Sequence, residues 1–330
     1  MKNIVVIGGG TGSFTVLSGL KRLPEVNLTA IVPSTDSGGS TGRLRDEFGK
    51  LPIGDVRQCL VALAENDEEQ HLLRQLFAYR FDKGENGLKG HNFGNLLLTA
   101  LSEILGSDVE AIKTAQKLLN IKGNVYPVSL ENTTLVAEYE NGEVVKGEHH
   151  IDEPSYPHDG RLRITKLYVE PVVDSYHEVH QALREADLII VGPGDLYTSL
   201  FANFVIDGLK QTMIESKAKF VYVLNLVTKF GQTYGFTAQT YLDEVEKYTG
   251  RKPDYVLVNS TSLPQDILQK YHLENAAPVI DDLGNEYNAV RTDLLADEQI
   301  VTPSGDVLKR SLIRHDGDKV AMQITEILAH

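Results

Sequence analysis

The chemistry of this chain gathers where apolar runs give way to glycines and small polar residues. The first such place is GGGTGS, residues 8–13. Gly8, Gly10 and Ser13 nearly fit a dinucleotide-binding fingerprint, with Gly9, Thr11 and Gly12 between them. Glycines let the backbone approach a phosphate, and a helix starting there aims its N–H groups at the ligand. The acid that usually follows the second strand is missing. That strand ends in Val32-Pro33, and Asp36 comes late. An NAD(P)-dependent oxidoreductase, with an NAD-like ligand on these loops, is therefore only the third reading.

The second place is the stretch from Val32 to Asp55. Thr35, Ser37 and Ser40 surround Gly38 and Gly39, a composition suited to an anion-binding nest of N–H groups. Asp36 suits a ribose hydroxyl or a Mg²⁺ ion. The plainer alternative is a flexible polar loop. GGSTG (38–42) formally matches a nucleophile elbow, but it lies well beyond the strand end rather than on a strand-to-helix corner.

Three further junctions follow. GHNFGN (90–95) offers His91, Asn92 and Asn95 at a helix start, where ligand contact and plain N-capping use the same geometry. His91 is the histidine best placed for proton chemistry. In VGPGDLYTSL (191–200), Gly192, Pro193, Gly194 and Asp195 form a second candidate anion site, with Asp195 as a simple N-cap the alternative. In LNLVTKFGQTYGF, Asn225 and Thr228 end a strand and either face a ligand or belong to an ordinary loop. His149-His150 read as solvated hairpin residues, and His177 and His180 lack a third metal ligand.

The elements that must position these residues alternate. NIVVIG (3–8) is a β-branched run bounded by glycines, the pattern of a parallel strand buried on both faces. SFTVLSGLKRL (13–23) has helical spacing and VNLTAIV (26–32) is a second strand, giving a βαβ unit. Helices are predicted over 53–66 with Asp55 as N-cap, over 67–81, from about Asn95 to 107, and over 108–120. Residues 121–170 change texture. Asn141-Gly142 between alternating runs signals a hairpin, so this segment reads as an antiparallel β insertion. Strands at DLIIVG, AKFVYVLNLV and DYVLVN then alternate with helices, LYTSLFANFVIDGLKQTM being one of them, and PVID, QIVTPSG and a final helix close the chain. The fold class is α/β, a Rossmann-like, doubly wound, mostly parallel sheet with an antiparallel β-hairpin insertion. Residues 1–330 read as a single domain, with 121–170 inserted in it.

Bulk properties exclude several classes. A net charge of −14 without long Lys or Arg runs sets nucleic acid aside as a partner. One cysteine, Cys59, permits no internal disulfide, which suits a reducing compartment. No apolar run reaches membrane-spanning length, and the N-terminal run lacks signal-peptide features. A cytoplasmic protein with no membrane partner is expected. Paired protomers are common for such sheets, so a homodimer is one expected state.

Taken together, VVIGGGTGSFTVLSGLK, STDSGGSTGRLR, PIGDVRQCLVAL, GHNFGNLLLTAL and VGPGDLYTSL resemble the YvcK-type branch of the CofD-like family, the gluconeogenesis factors. The resemblance runs in order from residue 1 to about 310. It implies a Rossmann-like fold and a cytoplasmic bacterial protein. The family's namesake, 2-phospho-L-lactate transferase, moves a phospholactyl group from a nucleotide diphosphate carrier and uses Mg²⁺. The YvcK-type branch is linked instead to gluconeogenic growth, cell shape, wall-precursor supply and UDP-sugar binding. Where the transferase pattern carries adjacent aspartates, STDSGGS has the single acid Asp36, which favours the regulatory branch. TKFGQTYGF diverges from that branch's more acidic version of the loop.

Two functions follow. The first is a UDP-sugar-binding regulatory protein that requires no cofactor and signals to a protein partner, with the diphosphate on Gly8–Ser13 and Ser37–Ser40. The lack of an evident nucleophile or acid/base pair favours it. The second is a Mg²⁺-dependent phospholactyl or phosphoryl transferase. In that case Asp36, with Asp55 or Asp195, holds the metal, and His91 or an aspartate activates the acceptor.

Overall fold

The structure, a computed structural model, describes residues 1–65, 68–83, 87–154, 158–285, 287–297 and 312–329. The first β-branched run forms β1 (Lys2–Ile7), in which Ile4 to Ile7 are buried. Ile4 and Val6 enter one core layer, Val5 and Ile7 the other, as a strand covered on both faces requires. Then come α1 (Gly10–Leu20), β2 (Val26–Val32), α2 (Gly39–Phe48), α3 (Gly54–Leu63), α4 (Glu68–Ala78), α5 (Phe93–Leu105) and α6 (Asp108–Leu118). They are followed by β3 (Asn124–Pro127), β4 (Thr134–Tyr139), β5 (Val144–Lys146), α7 (Glu148–Asp152), β6 (Ile164–Glu170), α8 (His177–Glu185) and β7 (Leu188–Val191). The remaining strands are β8 (Lys219–Val223), β9 (Tyr255–Asn259) and β10 (Ala289–Thr292).

Seven strands form one parallel sheet in the order β10-β9-β8-β7-β1-β2-β3. The direction of winding reverses between β1 and β7, where Ile4 pairs with Leu188. Ligands of such sheets bind beyond the carboxyl ends at this reversal. One face is covered by α1, α3 and the C-terminal helix Gly317–Ala329, through Val16, Leu20, Leu60, Val320 and Ile324. The other is covered by α8 and the helices Leu209–Glu215 and Ala238–Thr249, through Val179, Leu183, Met213, Leu242 and Val245.

The insertion is a second, antiparallel sheet of order β5-β4-β6. The predicted hairpin turn is present, with Gly142 at φ +84. Its inner residues Leu135, Ala137, Leu167 and Val169 join the core of the main sheet. The boundary shifts, because β3 pairs in parallel with β2 and belongs to the main sheet. Pro127, which has no N–H to donate, sits in this edge strand.

Other expectations change too. The segment LYTSLFANFVIDGLKQTM is not one helix. It forms a π-helical turn, Leu196–Phe201, a short α turn, Ala202–Phe204, and a separate helix, Leu209–Glu215. Gly208, left-handed at φ +83, breaks it. PVID makes only isolated bridges, at Pro278 and Ile280. The true edge strand is β10, a short half-exposed run without a buried-strand pattern. QIVTPSG lies outside the described residues.

Helix α1 packs very closely on the start of the C-terminal helix. A Cβ on Gly19 would sit 2.0 Å from the Gly317 carbonyl oxygen. On an open helix face Gly→Ala stabilises by roughly 1 kcal/mol. Here Gly19→Ala is expected to destabilise by about 2 kcal/mol or more through overpacking, read as a lower denaturant midpoint. A stabilised variant would show that the two helices are not pinned.

Candidate functional site

A cleft of about 570 Å³ opens at the β1/β7 reversal, within the ~300–1,000 Å³ of small-molecule sites. Its floor is the start of α1. Gly9 is the N-cap residue and supplies no side-chain cap. Gly10, at φ +60, donates its N–H to Asp55 Oδ1 at 2.7 Å. Two glycines are dictated by close approach. A Cβ on Gly9 would lie 2.3 Å from Asp55 Oδ2, and one on Gly12 would lie 1.8 Å from the Pro193 carbonyl oxygen. Gly9, Gly10, Thr11 and Gly12 line the cleft, while Gly8 and Ser13 lie behind it. The Ser13 hydroxyl is buried without a partner.

Asp55 is not an N-cap. Helix α3 starts at Gly54 with Ile53 as its cap residue, and the Asp55 carboxylate reaches across to α1 instead.

The second glycine stretch is a helix start rather than a loop. Its polar composition hides α2, whose Ser40, Thr41 and Leu44 are buried and which Gly49 ends at φ +65. The cap residue is Gly38, again without a side-chain cap, and its N–H donates to Asp36 Oδ1 at 2.9 Å. Asp36, Gly38, Gly39 and Ser40 line the cleft. Thr35 is buried behind it with its hydroxyl unpartnered. Ser37 faces the insertion: its N–H donates to Glu148 Oε2 at 3.3 Å, and its Oγ accepts from the His149 N–H at 3.0 Å.

In GHNFGN the capping reading holds for Asn92, whose side chain accepts the Asn95 N–H at 3.1 Å. Asn95 reaches the cleft wall, where Arg57 Nε donates to its Oδ1 at 2.9 Å and its Nδ2 donates to Thr41 Oγ1 at 3.3 Å. His91 and Asn92 are buried outside the cleft lining. His91 Nδ1 is 3.1 Å from Ser40 Oγ, and burial with nearby Arg43 lowers its pKa, so the ring is neutral.

The third wall joins the β7 end to the insertion. Pro193, Gly194 and Asp195 line it, while Gly192 stands back from the cleft. Asp195 makes no side-chain cap. Its Oδ2 is 3.1 Å from Lys229 Nζ, which also reaches Asp152 Oδ1 at 2.6 Å. Thr198 Oγ1 and Gln232 Nε2 donate to the same Asp152 oxygen, each at 2.9 Å. Asn225 braces the loop by donating Nδ2 to the Gly194 carbonyl at 2.8 Å. Thr228 accepts the Ala277 N–H at 3.0 Å.

The sequence reading missed Glu148, His149 and Asp152 on α7, and Lys229. They sit far from the glycine motifs in sequence, on a hairpin and a loop that read as bland. His315 was missed as well. It is buried on the far wall with Nε2 unpartnered, and burial brings its pKa down to about 4.

The cleft acids do not share one state. Burial pushes Asp36 and Glu148 up, and like charge from neighbouring carboxylates adds to it. Burial, then Asp36, raises Asp55 to about 7. Burial works against the charge on Asp152, but Lys229 and the hydrogen bonds outweigh it and hold the carboxyl below its usual range. The donor set does not fit a resident Mg²⁺ on Asp36 with Asp55 or Asp195. Mg²⁺ is commonly held by one or two carboxylates together with substrate phosphates, so an ion resident without substrate would need these carboxylates turned to one point. These three carboxylates are engaged by Gly38 N–H, Gly10 N–H and Lys229, and no described residues form a metal-holding group.

A profile of the family described as "2-phospho-L-lactate transferase CofD" matches residues 4–298. The chain belongs to the CofD family. Within that family it is 40% identical over 327 residues to the gluconeogenesis factor of Bacillus subtilis, covering 98% of each chain. It is 39% identical over 327 residues to that of Halalkalibacterium halodurans, covering 98% of this chain and 96% of the relative. A crystal structure of a Bacillus halodurans protein superposes with a TM-score of 0.86 at 36% identity, covering 98% of this chain and 99% of that one. The YvcK-type CofD expectation and the Rossmann-like fold both hold. The CofD match takes in every wall of the cleft except Ile313, Arg314 and His315, which lie beyond it. Among the described residues of this CofD-family chain, no helix is long and apolar enough to cross a membrane.

Asp55 gives a pH-dependent prediction. Its folded pKa of about 7 lies above that of an unfolded aspartate, near ~3.9. The folded chain therefore holds the extra proton between those values. Its contribution to stability falls as pH rises from about 4 to about 7 and is level above. Asp55→Asn keeps an acceptor for the Gly10 N–H and removes this loss. Its stability relative to the parent is expected to grow from pH 4 to pH 8 by up to roughly 4 kcal/mol, measured by urea unfolding at both values. A difference independent of pH would mean an ordinary carboxylate.

Proposed function

We propose that this chain is a cytoplasmic nucleotide-sugar-binding regulatory protein and that its cleft takes a UDP-sugar. The observation that carries the reading is a pair of helix starts, α1 and α2. Both have glycine at the cap position, both lack a side-chain cap, and both line the same cleft. Helix N-termini whose cap residue has no side chain offer oriented N–H groups and the positive end of the helix dipole, which together suit a diphosphate; at α1 the Asp55 carboxylate takes the Gly10 N–H and leaves the following ones. His315, whose pKa burial brings down to about 4, lines the cleft with its ring neutral, but its unpartnered Nε2 is buried.

A binding role is favoured over catalysis by the surroundings of Ser40. Its hydroxyl contacts His91, but it also accepts from the Asn92 N–H at 3.2 Å and Asn95 Nδ2 at 3.5 Å, and the residue is 4% exposed. That is a packed structural hydroxyl, not an activated nucleophile. A protein partner in central carbon metabolism or wall-precursor supply, an influence on cell shape, and a homodimeric state belong to the same proposal. The family description, 2-phospho-L-lactate transferase, supports a second reading, phospholactyl transfer, for which Mg²⁺ and a nucleotide diphosphate carrier belong to the expectation from resemblance.

Gly38→Asp tests the first reading. A Cβ at Gly38 meets only ordinary contacts, the nearest being Asp36 Oδ1 at 3.5 Å. The new carboxylate is placed to cap α2, which supports the helix and puts a negative charge where the diphosphate would sit. Calorimetry with UDP-N-acetylglucosamine, UDP-glucose, GDP and NAD⁺ is expected to show a UDP-sugar preferred by the parent. Gly38→Asp is expected to lose roughly tenfold or more in affinity while still melting cooperatively, the helix cap offsetting repulsion from Asp36. Unchanged affinity would remove the diphosphate from α2. Binding of GDP only, and only with Mg²⁺, would favour the transferase.

A further inference from the structure

The cleft carries more acid than an anion site calls for. Asp36, Asp55, Glu148, Asp152 and Asp195 all line it. In metal-dependent diphosphate sites, acids of this kind hold a divalent ion that neutralises phosphate oxygens. Here the carboxylates already have protein donors. Gly10, Gly38 and Ser37 give backbone N–H groups to Asp55, Asp36 and Glu148. Asp152 and Asp195 share one ammonium.

We propose that Lys229 is the built-in cation of this cleft, standing in for a divalent metal, so that a nucleoside diphosphate binds in its metal-free form. This rests on the anion-binding reading given above. Lys229 Nζ lies between Asp152 Oδ1 at 2.6 Å and Asp195 Oδ2 at 3.1 Å, with its side chain 33% exposed. An ammonium has three donors. The two carboxylates take two and leave one for a phosphate oxygen. The position is apt because Asp195 follows Gly194 on the β7 loop, and that loop abuts Gly12 at the start of α1. Gln232, an amide that donates to Asp152, adds no further negative charge beside the ammonium. A cation fixed to the chain needs no free metal to fill the site.

The test compares the parent, Lys229→Gln and Lys229→Arg by calorimetry with UDP-N-acetylglucosamine, each in EDTA and in Mg²⁺. The parent and Lys229→Arg are expected to bind equally in both buffers. Lys229→Gln is expected to lose roughly tenfold or more in EDTA and to recover part of that in Mg²⁺, as the freed Asp152 and Asp195 take the ion. A parent that needs Mg²⁺, or a Lys229→Gln variant that binds as the parent does in EDTA, overturns the proposal. So does a loss that Mg²⁺ fails to restore and that Lys229→Arg shares, which would make Lys229 a structural clamp. Manganese alone, followed by electron paramagnetic resonance, separates this from failure of the nucleotide-sugar reading. The parent is expected to leave Mn²⁺ free and Lys229→Gln to bind it, whether or not any UDP-sugar binds. Stoichiometric Mn²⁺ on the parent that Asp195→Asn abolishes overturns the proposal, and this arm stands even if Lys229→Gln does not fold.

Discussion

The hydrogen bond from Gly10 N–H to Asp55 Oδ1 organises the rest of the cleft. It ties the start of α3 to the start of α1 and fills part of α1's electropositive end with a carboxylate of the chain itself. Gly9 must lack a side chain to admit that carboxylate. Asp36, close enough to raise Asp55 by like charge, belongs to the approach to α2. One buried acid thus links both glycine-capped helices. In the free protein its carboxyl, with a pKa raised to about 7, stands at the edge of the place where an external anion would bind.

The insertion answers that negative charge with geometry. Helix α7 brings Glu148, His149 and Asp152 to the cleft, and Ser37 fastens it to the approach to α2 through two contacts. Lys229 then joins Asp152 of the insertion to Asp195 of the β7 loop. Removing one partner from such a cluster leaves the others uncompensated, which costs more than the net worth of the pair. The second sheet is therefore a wall of the site and not an appendage.

The parts legible in the sequence are those set by local rules. β1 and β2 read as strands because apolar and β-branched residues dominate both runs, and the glycine motifs read as phosphate sites because strand, glycine and helix follow one another. Asn141-Gly142 turned where its type demands. What escaped depends on contacts distant in sequence. Asp55 looked like a cap because it opens a helix, but a free amide on α1 competes for it. α2 looked like a loop because its hydroxyls are inward and hydrogen-bonded rather than solvated. Lys229 and Asp152 are 77 residues apart and come together only through the tertiary fold. β10 escaped because an edge strand carries half the burial signal of a central one.

The pairing of β1 with β7 has a consequence in time. The first strand of the chain meets one of its two neighbours 184 residues later, Ile4 against Leu188. During synthesis β1 and β2 can pair early, but the other edge of β1 stays open until more than half of the chain has been made. Such distant pairings close slowly, and an open apolar edge is a template for wrong partners meanwhile. The seam that houses the cleft thus joins the early half of the sheet, β1 to β3, to strands made later, β7 to β10. A nascent chain halted before Val191 would hold both glycine-capped helices and still have no site.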